Sequence, residues 1–89
     1  MNVVRGSVVR ALAGRDRDRF FVAVAVSDRC VYLADGRERR LSKPKLKNVK
    51  HISPTGAVAD ISELTDKKLR RILSAFATRS AEGNISDQG

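Results

Sequence analysis

The stretch from Ala13 to Val26, AGRDRDRFFVAVAV, leaves a short chain few ways to fold. Phe20 to Val26 is an unbroken apolar run rich in β-branched and aromatic residues, which suits a strand buried on both faces of a small barrel. Immediately before it stand Gly14 and the alternation Arg15, Asp16, Arg17, Asp18, Arg19, which no apolar core accepts. The stretch therefore reads as the end of one strand, a solvent-facing turn and a second strand. One hairpin carries the centre of the core at one end and three guanidinium groups at the other.

The chain has 89 residues, enough for one domain with a modest core, since a domain of this size buries only about 60–65% of the surface its unfolded form exposes. It carries 18 Lys and Arg against 10 Asp and Glu, a formal charge of +8. The excess lies in the first half: residues 1–50 hold 13 basic and 5 acidic side chains, residues 51–89 hold 5 of each. Such a field attracts polyanions, meaning RNA, DNA or an anionic membrane surface. The single cysteine, Cys30, can form no internal disulfide and reads as a small buried hydrophobe in a reducing compartment. No stretch approaches the ~18 apolar residues of a membrane span, and the N-terminus lacks the apolar core of a signal peptide, so the expectation is a soluble cytoplasmic protein.

Along the chain, residues 4–12 read as a first strand whose Arg5 and Arg10 reach solvent while valines fill the core. Gly14 supplies the freedom a tight turn needs, and Asp18 falls where a second positive φ is useful. Residues 20–27 form strand two and 30–34 strand three. Asp35-Gly36 is the strongest hairpin signal, predicting a fourth strand over 37–42 with Tyr32 opposite Arg39 and Val31 opposite Arg40. From Ser42 to Lys50 the pattern turns extended and basic. Pro44 there favours a loop or edge segment, and Lys43, Lys45 and Lys47 fall on one side at period two. A short last strand over 49–52 precedes Pro54, Thr55 and Gly56, which are expected to break it. Residues 57–61 are too short an apolar run to place.

A single helix is predicted near 63–78. Leu69, Ile72, Leu73 and Phe76 recur at helical spacing, with Lys67, Lys68, Arg70 and Arg71 on the solvated side. Ser62 or Thr65 can cap it. The stripe is expected to pack on the sheet, giving a domain over 1–79 and a frayed, disordered tail over 80–89.

Gly6, the strand to Ala13 and Gly14-Arg15-Asp16-Arg17 look like the KOW motif, a glycine followed by about seven residues of strand and then Gly-Lys-Asp-Lys-Gly. With the later run DGRxRRLxxPKxKNxKH from Asp35 to His51, residues 4–78 resemble small KOW-domain RNA-binding proteins related to a KOW-containing large-subunit ribosomal protein family of archaea and eukaryotes. The resemblance implies a mainly β fold, an SH3-like five-stranded antiparallel barrel with one C-terminal amphipathic helix. It also implies that the first turn and the neighbouring basic loops lie on RNA. Asp18 departs from the motif, standing where its second glycine is usual and adding a negative charge beside Arg17 and Arg19.

The residues themselves point the same way. From Arg37 to Lys50 there are seven basic side chains (Arg37, Arg39, Arg40, Lys43, Lys45, Lys47 and Lys50) against a lone Glu38, with Asn48 and His51 as neutral hydrogen-bonding groups. Such groups neutralise phosphate and release counterions, and Arg, Asn and His also meet exposed bases. Together with Arg15, Arg17 and Arg19 they make the candidate RNA-binding set. Aromatic residues are few (Phe20, Phe21, Tyr32 and Phe76) and most look like core, so recognition of structured RNA by shape and backbone charge fits better than a base-stacking platform. The expected role is therefore non-catalytic binding of structured, ribosomal RNA in ribosome structure, assembly or translation. The alternative is a protein-interaction module that docks on a transcription or translation partner through the barrel or helix. His51 has no carboxylate near it in sequence to orient it as a base, one Cys and one His cannot make the usual zinc sets, and no P-loop is present, so neither enzyme chemistry, metal nor cofactor is expected.

Overall fold

In the computed structural model, which describes the backbone of residues 3–88 and the side chains of residues 3–77, the apolar run becomes the sheet's central strand. The strands are β1 (Ser7–Ala11), β2 (Phe20–Val26), β3 (Cys30–Ala34), β4 (Lys45–Asn48) and β5 (Ile52–Val58). A 3₁₀ turn, Val49–His51, joins β4 to β5, and one helix, α1 (Asp66–Gln88), follows. The fold is mainly β: all ladders are antiparallel and the order is β4-β3-β2-β1-β5, with β2 in the middle.

Strand alternation gives each face of the sheet its own apolar cluster. Val9, Ala11, Phe21, Ala23, Val31, Leu33 and Ile52 form one, with Val3 and Val49 packed against its border. Val8, Val22 and Ala34 point the other way and meet Leu69 and Leu73 of α1. Consecutive residues Phe21, Val22 and Ala23 are therefore all buried, as a strand covered on both sides requires. Fully burying side chains the size of Phe21 and Val22 stabilises by about 1.5–3 kcal/mol each, and β1 and β3 add Val8, Val9, Val31 and Leu33 to the same core. Two-sided burial ends where the β2–β3 register shifts between Ala23 and Ala25, and Val26 is exposed.

Several expectations are corrected. No strand forms over 37–42: Asp35 Oδ1 accepts the amides of Arg37 and Arg39 at 2.8 and 2.9 Å, and Arg39 O accepts the amides of Asp35 and Gly36. Gly36 has φ +79°, but Asp35 does not share the positive φ that a type I′ turn demands at both centres. The aspartate side chain ties a longer loop instead. Strand β4 comes from the basic segment beyond Pro44 and, as expected for that segment, lies at the edge, so Tyr32 faces Leu46 and Val31 faces Lys47. The last strand runs through Pro54, Thr55 and Gly56 instead of stopping before them. An edge strand tolerates proline, and the register shift between Ser7 and Val9 marks a bulge that takes up Gly56 at φ +88°. Thr55 Oγ1 donates to Val8 O at 2.7 Å and secures it. No ladder joins β4 to β5 among the described residues, so the sheet is open where a closed barrel was expected.

The helix is capped by Thr65, whose Oγ1 accepts the Lys68 amide at 3.1 Å. Before it, the amide of Ser62 donates to Asp60 Oδ1 at 3.0 Å, and this bond to the ionised form holds the Asp60 carboxyl below its usual range. Leu69 is fully buried and Leu73 nearly so, while Phe76 packs edge-on against Phe20 with ring centroids 5.0 Å apart. Ile72 stays half-buried beside β5. The helix continues through Gln88, well past 78, so the backbone of residues 80–88 is helical where a tail was expected; the side chains there and Gly89 lie outside the described residues. No helix among the described residues is long and apolar enough to cross a membrane.

If the α1 contact is what covers the outer face of the sheet, Leu69→Ala lowers unfolding free energy by about 2–5 kcal/mol. Lys67→Ala, on the exposed side, changes it by less than about 0.5 kcal/mol. Urea denaturation of both variants checks this, and equal, small losses would contradict the packing.

Candidate nucleic-acid interface

The first turn is built around two residues with positive φ. Gly14, at φ +81°, begins it, and the Arg17 amide closes back on Gly14 O at 3.2 Å. Asp18, at φ +67°, is the only other residue than glycine with positive φ among those described, in the place where the sequence called for that freedom. Its amide donates to Ala11 O at 2.8 Å while Ala11 N donates to Arg19 O at 3.0 Å, so Asp18 and Arg19 together oppose Ala11 in a bulge. Asp18 thus serves a backbone function that glycine also serves, with its carboxylate in solvent.

The charged alternation is not wholly solvent-facing, as the sequence had implied. Asp16 is only 4% exposed. Its Oδ2 accepts from an Arg39 guanidinium nitrogen at 3.0 Å, across the gap between the first turn and the loop after β3. A second pair, Arg19 to Glu38 at 2.9 Å, lies alongside it at the surface. Lys47 Nζ adds a third tie by donating to Ala13 O at 2.8 Å. The loop is held from its other side by α1: Arg70 donates to Gly36 O at 2.7 Å, and the Leu41 amide donates to Asp66 Oδ1 at 2.9 Å. Gly36 is buried against the Asp66 carbonyl so closely that a Cβ could not fit.

These ties gather much of the candidate set. Arg15, Arg19 and Arg39 line one depression with Asp16 and Glu38, and Arg39, Arg40, Lys43 and Lys45 line the next. Arg37 projects from the same loop, and Arg17 from the same turn, both exposed. Lys47 joins them at Gly14. Not all of these charges are available, because Arg39 is committed to Asp16 and its buried Nε has no hydrogen-bond partner. Lys50 and His51 belong to the 3₁₀ turn, and Asn48, the last residue of β4, caps it. Asn48 Oδ1 is spent on the Lys50 amide at 2.9 Å, His51 O accepts the Leu12 amide, and the Lys50 and His51 side chains are exposed.

Sequence reasoning missed Asp16 as a buried anchor and Arg70 as a clamp. Acid–base alternation at a turn hints at pairing, but nothing local identifies a partner 23 residues away. Tyr32 is 40% exposed beside the exposed Leu46, on the opposite face of the sheet from Lys45 and Lys47. It does not pack in the core, and its partner across the ladder is Leu46 in place of Arg39.

No protein-family model matches the chain, and no curated protein is significantly similar to it.

Because Asp16 is buried and Glu38 is not, their truncations should differ. Asp16→Ala leaves Arg39 unpaired and costs about 1–3 kcal/mol of stability, whereas Glu38→Ala costs less than about 1 kcal/mol. Thermal and urea unfolding of the two variants provide the measurement.

Proposed function

We propose that this protein is a non-catalytic RNA-binding module of the SH3-like, KOW type. It would act in the cytoplasm on structured, ribosomal RNA, in ribosome structure, assembly or translation. The observation that carries the reading is the joining of two basic segments, 14–19 and 37–47, into one surface by Asp16–Arg39, Arg19–Glu38 and the Lys47–Ala13 bond. A polyanion laid across it meets exposed Arg15, Arg17, Arg37, Arg40, Lys43 and Lys45 on a scaffold that needs little rearrangement. The KOW-like pattern of Gly6, Gly14 and the turn arginines supports the same reading. So does the five-stranded antiparallel sheet, whose first hairpin presents that turn.

The protein-interaction reading rests on a smaller feature. Leu73 is in the core and Phe76 leans on Phe20, so the helical stripe is already used. What remains is an apolar groove where Val58, 63% exposed, lies beside Ile72 and Ala57.

Salt dependence separates the two. Replacing Arg40, Lys43 and Lys45 together by Ala should weaken binding to an RNA hairpin at low salt. It should also reduce the slope of log K against log salt by about 2–3, since each lost phosphate contact removes about 0.7–0.9. An unchanged slope would make these residues a solvated face and favour docking through the apolar groove. Asp18→Gly keeps the positive φ, removes a negative charge between Arg17 and Arg19, and should raise affinity at low salt. Weaker binding by a folded variant would make the Asp18 carboxylate itself a contact.

A further inference from the structure

Between the loop after β3 and the middle of α1 lies a cleft of about 480 Å³, within the range of about 300–1,000 Å³ typical of small-ligand sites. Phe20, Leu73 and Ala77 supply its apolar lining, and the guanidinium-bearing side chains of Arg19, Arg37 and Arg70 its basic lining. Resting on the RNA-binding reading, we infer that this cleft receives one unpaired nucleobase of the bound RNA, so that the preferred substrate is a helix interrupted by a bulged nucleotide.

The chemistry of the lining favours a base over a phosphate. Arg70 is already held on Gly36 O, and Arg19 is paired with Glu38 at the surface, so two of the three guanidiniums have partners within the protein. A guanidinium plane beside phenyl and aliphatic carbon matches the flat apolar face of a base, which stacks on such groups. Asp35 and Glu38 also line the cleft and offset two of its three guanidinium charges, which weakens its pull on phosphate, while carboxylates accept hydrogen bonds from the amino groups on base edges. The phosphates are directed to the neighbouring surface. Continuity supplies the path: Arg19 and Glu38 line both the cleft and the depression that holds Arg15 and Arg39. A strand crossing the basic surface therefore passes the mouth of the cleft, and only a nucleotide outside the helical stack can enter.

Two RNA hairpins of the same stem sequence test this, one uninterrupted and one with a single bulged adenosine, titrated at one fixed salt concentration. The protein should bind the bulged RNA at least about fivefold more tightly, the lower end of what stacking one base supplies. Ser74→Leu with Ala77→Leu, at exposed helix positions lining the cleft, fills it with aliphatic volume. This variant should lose the preference and bind both hairpins as the parent binds the uninterrupted one, with its circular dichroism and melting unchanged. Equal binding of both RNAs by the parent protein, or a preference that survives in the filled variant, overturns the cleft assignment alone. Binding to neither hairpin overturns the RNA-binding reading and the cleft assignment together.

Discussion

The carboxylate of Asp16 is the charged group that the described fold takes furthest out of water, and its compensation fixes the relation between the two basic segments. A buried carboxylate without a partner costs several kcal/mol, so the chain must deliver a cation to it. Arg39 can do so only if the loop after β3 folds back over the first turn. Once it does, Arg19 reaches Glu38, Lys47 reaches the Ala13 carbonyl, and the surrounding uncommitted cations are brought within one surface. Pairing within a cationic cluster also lowers its self-repulsion, which lets so basic a half-chain fold around one point.

The loop keeps that position because α1 holds its other side. Asp66 accepts the Leu41 amide, Arg70 donates to the Gly36 carbonyl, and Gly36 allows an approach no larger residue could make. The same helix covers Val8, Val22 and Ala34 through Leu69 and Leu73. One element therefore both completes the apolar core and sets the basic loop, so damage to the helix contact should be felt at the candidate interface.

What could be read from the sequence was what local chemistry decides. The apolar run of β2, the helical stripe, the Thr65 cap and the positive φ at Asp18 are each set by a few neighbouring residues. The errors arose where a distant partner outvoted a local signal. Asp35-Gly36 carries a hairpin signature, yet the Asp35 side chain captures two amides and the loop docks on α1, displacing β4 to the Lys45–Asn48 segment. Pro54 and Gly56 look like strand breakers, but β1 offers β5 an edge where a bulge absorbs them. At the site, the basic residues were visible as composition. Their pairing was not, since Asp16 and Arg39 share no sequence neighbourhood, and Asn48 and Arg39 proved to be engaged inside the protein.

On the proposed reading, turn 14–19 and loop 37–45 meet RNA as one surface. Amide chemical-shift mapping during titration with an RNA hairpin tests it most directly. Resonances of both segments should shift together, along a single binding curve, while those of the groove beside Val58 and Ile72 stay in place. Shifts confined to one of the two segments, or centred on that groove, would contradict it.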